Sequence, residues 1–114
     1  MPFDGSYPAP PGNKRDSILD LSISGSYTAI APGTPITGGI VISAQQFGLQ
    51  QIEWAQIVGS NDGTYDGVIY MSPYNLNQPS PAIRLGLITA STGAALGTGT
   101  VAAGKTMRIC ATGW

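Results

Sequence analysis

Six carboxylates and one thiol are the obvious acid, base and nucleophile candidates in this 114-residue chain, which contains no histidine. Histidine is the commonest general base and the commonest metal ligand, so its absence removes both roles together. The thiol, Cys110, falls on a predicted strand and has no imidazole to activate it. We therefore expect no nucleophilic cysteine chemistry.

Two carboxylates at a fixed separation are the requirement of glycoside hydrolysis, which some β-sandwich enzymes perform. Glu53 lies within a strong predicted strand, and Asp20 is its only plausible counterpart. An exposed strand face explains both residues more simply, so we predict that the protein is not an enzyme. The full set of carboxylates is Asp4, Asp16, Asp20, Glu53, Asp62 and Asp66.

Residues 61–63, Asn-Asp-Gly, and the nearby Asp66 place oxygen ligands on a glycine-containing loop, as part of a calcium site does. No glutamate closes the loop as a bidentate ligand, and Asn-Asp-Gly is the composition that a tight turn itself selects. The glycines within 97–104 lack the strand-to-helix context of a phosphate loop. We predict a turn over the Asn-Asp-Gly segment, no metal site and no cofactor.

Aromatic and arginine side chains are better candidates, and the function they favour is binding. Tyrosine and tryptophan are enriched at interfaces and sugar sites because each has a large rigid face with a polar tip. The same aromatic residues could instead cap the core, and the arginines, on outward strand faces, could simply be solvated. The candidate interface residues are Phe3, Tyr7, Tyr65, Tyr70, Tyr74, Arg84, Arg108 and Trp114.

A central stretch, residues 49–71, organises the elements that would position these side chains. It contains two apolar strands on either side of a turn at 59–63. In the first strand Ile52, Trp54 and Val58 share one face, with a period close to 2. We predict a β-hairpin here and expect the core to be assembled on Trp54.

Apolar alternation predicts strands elsewhere, with shorter ones around 27–30 and 94–96. Ser43, Gln46 and Gly48 have the spacing of a capping box and a helix end, which predicts one helical turn. Seven or so short strands separated by turns indicate an all-β fold, an antiparallel β-sandwich of jelly-roll type. The predicted inward sets are Leu19, Leu21 and Ile23; Ile36, Ile40 and Ile42; Ile83, Leu85 and Leu87; and Met107, Ile109 and Ala111.

Composition indicates one domain, residues 16–114, after an extended arm, residues 1–15, rich in proline and glycine. Phe3 and Tyr7 would anchor this arm on a neighbouring subunit; the alternative is a disordered tail. Only 10% of residues are charged, against about 25% in ordinary domains, which is typical of a surface that other subunits or carbohydrate cover.

The net charge of −1, with five scattered basic residues, argues against binding to nucleic acid or to a membrane surface. No apolar run is long enough to span a bilayer, and residues 1–4 do not begin a signal peptide. The single cysteine fits assembly in a reducing cytoplasm.

From Ile36 onward the chain resembles small virion structural proteins of tailed bacteriophages, encoded near the major capsid protein. The shared features concern fold and composition, and the proline-rich arm and the loop at 73–81 do not match them. The resembling segments are 43–49, an alcohol-x-x-Gln element followed by Phe-Gly-Leu; 59–65; 83–85 leading to 89–93; and 104–109.

The resemblance implies a capsid decoration or cement protein. Such a protein is a small β-domain, often a homotrimer, that binds the major capsid protein on the outer surface of the shell and stabilises it. The implied location is the virion surface, after assembly in the cytoplasm of a bacterial host. The alternative is a receptor-binding or carbohydrate-binding β-sandwich of a phage tail or fibre, which exposed tyrosines over 65–74 would favour.

Overall fold

The computed structural model describes residues 14–33, 36–72 and 80–114. Over this part of the chain the protein is mostly β, as predicted, with eight strands, one short 3₁₀ helix and no α-helix. No helix in these ranges is long and apolar enough to cross a bilayer. The strands are β1 Arg15–Ser22, β2 Gly25–Tyr27, β3 Ile40–Ser43, β4 Ile52–Ser60, β5 Tyr65–Ser72, β6 Ala82–Thr89, β7 Gly99–Val101 and β8 Thr106–Gly113.

The strands form three antiparallel sheets with the orders β1-β8-β4, β3-β6-β5 and β2-β7. An isolated bridge joins Ile52, the first residue of β4, to Ser80, which lies just before β6, with N–H to oxygen distances of 2.7 and 2.8 Å. Within the described ranges the middle strands β6 and β8 each have two neighbours, and the other strands of these two sheets have one.

Alternation along the middle strands builds the core as predicted. Ile83, Leu85 and Leu87 of β6 are buried, as are the inward residues of β8. They belong to one buried cluster to which all three sheets contribute. Tyr27 of β2 belongs to the same cluster, and its hydroxyl accepts a hydrogen bond from the Leu87 N–H at 2.9 Å. Burying each large aliphatic side chain contributes about 1.5–3 kcal/mol, so this cluster dominates the stability of the fold.

The predicted hairpin over residues 49–71 is wrong in its pairing, although both strands and the turn exist. Within the described ranges β4 pairs with β8 and β5 pairs with β6, so the turn leads from one sheet to another. Asn61 shows why: its side chain bonds the Gly104 carbonyl and the Thr106 N–H, and its own N–H donates to the Thr106 carbonyl at 3.0 Å. The turn is thus held by the start of β8 rather than by a local ladder.

The expectation that the core assembles on Trp54 is also wrong, because 44% of Trp54 is exposed. Ile52 faces Gly113 but Trp54 faces Thr112, so Glu53 is an extra residue in a β-bulge. One extra residue reverses the faces of the strand beyond it. Ala55 and Ile57 consequently take the inward side, and Trp54 is turned outwards.

Smaller features follow the sequence more closely. The predicted helical turn is the 3₁₀ helix Ala44–Phe47, where the Ser43 N–H donates to Gln46 Oε1 at 3.0 Å and Gly48 has φ 76°. The strand expected at 94–96 is a single bridge of Ala95, and β7 was not predicted. Residues 1–13 and the loop at 73–79, with Phe3, Tyr7 and Tyr74, lie outside the described ranges.

Candidate interaction surface

The outward side of the β1-β8-β4 sheet carries three of the five large apolar side chains that are exposed in the described ranges. Ile18 is 61% exposed, Trp54 44% and Val58 55%. Half-buried Cys110 of the middle strand β8 is paired with Ile18 of β1 on one side and with Gln56 of β4 on the other. We call the surface of Ile18, Trp54, Val58 and Cys110 the tryptophan face. Exposed apolar patches of this kind mark interaction sites more often than chance.

Strand β4 is irregular at both ends of this face. The bulge at Glu53 turns Trp54 outwards, and a second register shift between Ile57 and Gly59 makes Val58 an extra residue. Bulges re-aim side chains and increase the local twist of a strand. Ile18 reaches the same side by plain alternation, between Asp16 and Asp20 on β1.

Polar pairs border the tryptophan face at both of its ends, and each pair joins a residue of β1 to the middle strand β8. Asp20 accepts two hydrogen bonds from Arg108, at 2.7 Å from Nε and 2.9 Å from Nη2. These bonds lower the pKa of the Asp20 carboxyl and raise the pKa of the Arg108 guanidinium. Asp16 accepts the Thr112 hydroxyl at 2.6 Å. The polar groups of this border are therefore largely satisfied within the chain, whereas Ile18, Trp54 and Val58 remain exposed.

A shallow groove of about 310 Å³ lies at one end of the tryptophan face. Val58 and the Asp20–Arg108 pair line it together with Asn61 and Thr106. Apolar and hydrogen-bonding groups are thus offered side by side, as binding grooves require.

The opposite end of the face is where the described chain begins. Lys14 Nζ lies 2.9 Å from Glu53 Oε1 and 5.5 Å from the centre of the Trp114 ring. Arg15 donates to the Gly48 carbonyl, and the Trp114 backbone pairs with Gln51 at 3.0 and 3.1 Å. These contacts fix the point at which residues 1–13 join the domain, at the end of the sheet where β4 begins.

The two carboxylates considered for glycoside hydrolysis lie apart and have separate partners. Asp20 pairs with Arg108, whereas Glu53 pairs with Lys14 beside Thr112 in the register. Four residues of β8 separate the two positions, which corresponds to about 13 Å along a strand. The arrangement therefore does not give this pair the spacing of a glycosidase dyad.

The segment considered for calcium is a turn. Gly63 has φ 74° and donates its N–H to the Ser60 hydroxyl at 3.1 Å, and Asp62 accepts the Thr64 N–H at 3.0 Å. Asp62 also pairs with Lys105, which is the main cause that lowers the pKa of its carboxyl. In the parts of the chain with assigned structure, no three metal-binding side chains are grouped.

The outward side of the β3-β6-β5 sheet is a second partly apolar surface, with Val41 52% and Val68 40% exposed. We call the surface of Val41, Val68, Tyr70 and Arg84 the valine face. Arg84 donates to the Gly38 carbonyl at 2.8 Å. Ile30 and Tyr70 lie over Gly86, so close that an added Cβ there would stand 2.8 and 3.1 Å from their carbons. The chain thus covers part of this surface itself.

The predicted interface residues do not form one site. Tyr65 packs against the core while Tyr70 lies on the outward side of the same strand, since five residues separate them. Arg84 lies on the valine face, Arg108 borders the tryptophan face, and half-buried Trp114 closes one end of its sheet.

The principal surface residue, Trp54, was assigned to the core because its alternation with Ile52 hides the bulge between them. The inward prediction for Leu19 and Leu21 implies that Ile18 points outwards, and this large apolar residue on a polar strand face was the available signal.

Comparison of the chain with protein-family models, curated proteins and solved structures finds no match. The geometry of the two outer sheet faces is therefore the starting point for function.

Proposed function

We propose that this protein is a non-enzymatic decoration or cement protein of a tailed-phage capsid. In this proposal it is a homotrimer that binds the major capsid protein on the outer surface of the shell and stabilises the shell. It is made in the bacterial cytoplasm and resides on the virion. Its fold is a β-sandwich of jelly-roll type, in which β1-β8-β4 and β3-β6-β5 are the two layers. The phage assignment rests on the sequence resemblance.

The observation that carries a binding role is the tryptophan face. Covering apolar surface contributes about 25 cal/mol for each Å² removed from water, so its exposed side chains offer a favourable contact to a protein partner. Within the chain Asp20 is already paired with Arg108 and Asp16 already accepts the Thr112 hydroxyl, which lowers the cost of bringing a partner close.

Multivalency explains how modest patches would hold a protein on a shell. Any one surface patch of so small a protein has a limited area, so a single copy would bind the shell weakly. In a trimer the second and third contacts form at high effective concentration, and avidity can exceed the single affinity by about 10²–10⁴. A charge fraction of only 10% fits a protein whose surfaces are largely covered in the assembled state.

Native mass spectrometry of the purified full chain, followed by co-sedimentation with phage shells that lack it, tests this proposal. We expect a trimer that co-sediments with the shells. Trp54→Lys should weaken trimer formation or shell binding at least tenfold, because a buried unpaired charge costs more than 1.4 kcal/mol. The exposed Gln45→Lys is the matched control and should bind as the wild type does. A monomer that ignores the shells would refute the proposal.

The second candidate function is carbohydrate or receptor binding by a phage tail or fibre. The exposed indole of Trp54 and the groove beside Asp20, Asn61 and Arg108 favour it, because sugars stack on aromatic faces and need polar groups around them. A glycan array distinguishes the two functions: sugar binding that Trp54→Ala abolishes supports this candidate, and an array without signal supports the capsid role.

A further inference from the structure

We infer that residues 1–13 of one copy lie across the tryptophan face of a neighbouring copy. The inference deepens the proposed function, since it assumes that copies associate, and it assigns the subunit contact to a named segment.

The dimensions of the face suit a narrow occupant. Three strands about 4.8 Å apart, each some eight residues long, make a surface of roughly 10–15 by 26 Å, or a few hundred Å². A standard protein interface buries about 800 Å² on each partner. A second globular domain pressed onto this face would therefore gain too small a contact, whereas an extended segment of about eight residues would span its whole length.

The composition of residues 1–13 suits the chemistry of the face. The segment has four prolines, the aromatic residues Phe3 and Tyr7, and Asp4 as its only charged side chain. Proline-rich segments favour the extended polyproline II conformation and dock on surfaces that present aromatic rings, as Trp54 does here. Proline also has no N–H, and a sheet face, unlike a sheet edge, offers no free backbone groups to pair with.

The point of attachment favours a neighbour over the segment's own domain. Lys14 and Arg15 are held at the end of the sheet by Glu53 and by the Gly48 carbonyl. The chain enters β1 along the strand direction, so an extended segment before it continues past the end of its own sheet. Thirteen residues reach up to about 43 Å, enough to cross to another copy.

A disulfide trap between two differently marked chains tests the inference. Both chains carry Cys110→Ser; one adds Tyr7→Cys and the other adds Gln56→Cys, an exposed position between Trp54 and Val58 on β4. The chains are mixed, allowed to assemble and oxidised gently. We expect mixed disulfide dimers by mass, and few of them when Ser91→Cys, an exposed position in the turn after β6, replaces Gln56→Cys.

Each outcome separates this inference from the proposed function. Native oligomers without the Tyr7–Gln56 disulfide would overturn the inference and leave oligomerisation intact. A disulfide that forms only when both cysteines are on one chain would also overturn it, because the segment would then cover its own domain. Monomers that form no mixed disulfide would refute both proposals.

The natural thiol supplies a second readout without engineered cysteines. Cys110 lies in the middle of the tryptophan face, so an overlying segment should slow its reaction with a maleimide. We expect the double variant Phe3→Ser, Tyr7→Ser to react severalfold faster, and a synthetic peptide of residues 1–13 to restore the slow rate. Equal rates in wild type and variant would contradict the inference.

Discussion

The two outer sheet faces differ in how far other side chains of the protein cover their apolar residues. On the valine face, Ile30 and Tyr70 lie over the strand at Gly86, and Arg84 is tied down by the Gly38 carbonyl. On the tryptophan face, the hydrogen bonds lie at the border, and Ile18, Trp54 and Val58 stay exposed. The chain thus covers part of one face and leaves the other for a partner, which is why we place the main contact on the tryptophan face.

The largest expected effect is the difference in stability between a variant of the core and a variant of the tryptophan face. Leu85→Ala removes a fully buried side chain and should lower the free energy of unfolding by about 2–5 kcal/mol. Trp54→Ala should cost less, within about 1 kcal/mol for the isolated chain, because 44% of the side chain is already exposed. Urea unfolding at low protein concentration measures both. A larger loss for Trp54→Ala would mean that the core does include this residue.

The next effect compares the two faces through a single added methyl group. Gly86→Ala should destabilise the protein by about 1–3 kcal/mol, because the new Cβ meets Ile30 and Tyr70. Gly59→Ala is the matched control on the tryptophan face, because no heavy atom beyond its chain neighbours lies within 4 Å of the position that the new Cβ would take. Its free energy of unfolding should stay at or slightly above that of the wild type. Equal losses of stability for both variants would contradict the claim that side chains cover the valine face and leave the tryptophan face open.

The bulges and the pairing explain how far the sequence could predict these faces. Strands β1, β6 and β8 follow from uninterrupted alternation, because inward and outward residues keep their parity along each strand. Strand β4 contains the same kind of residues, but one extra residue at Glu53 leaves the apparent pattern intact while it reverses the real one. Local spacing carries no information about such an insertion.

Strand partners are the other part that local reasoning missed. The 59–63 segment has every local mark of a hairpin turn, yet β4 and β5 belong to different sheets because β8 and β6 are their ladder partners. Those partners are about 50 and 20 residues away along the chain, and no short-range signal identifies them. The turn chemistry was predicted correctly and its role in the fold was not.

The smallest expected effect concerns the border of the tryptophan face. Arg108 lowers the pKa of Asp20, so the pair stabilises the folded state above the unfolded pKa of about 3.9 and loses this effect as pH falls through the folded value. Asp20→Asn should therefore lower the melting temperature slightly at pH 6, and the difference should shrink as the pH is lowered below about 3.9. Added salt should reduce it as well, since the pair is exposed. A difference that grows towards low pH would contradict this assignment.

The most direct test of the central claim, that another copy covers the tryptophan face, is the rate at which Cys110 reacts with a maleimide as the concentration of the full chain is raised. The account predicts that the rate falls as native mass spectrometry detects the oligomer, and that Trp54→Lys abolishes both changes. A rate that stays constant while the oligomer forms would contradict the claim.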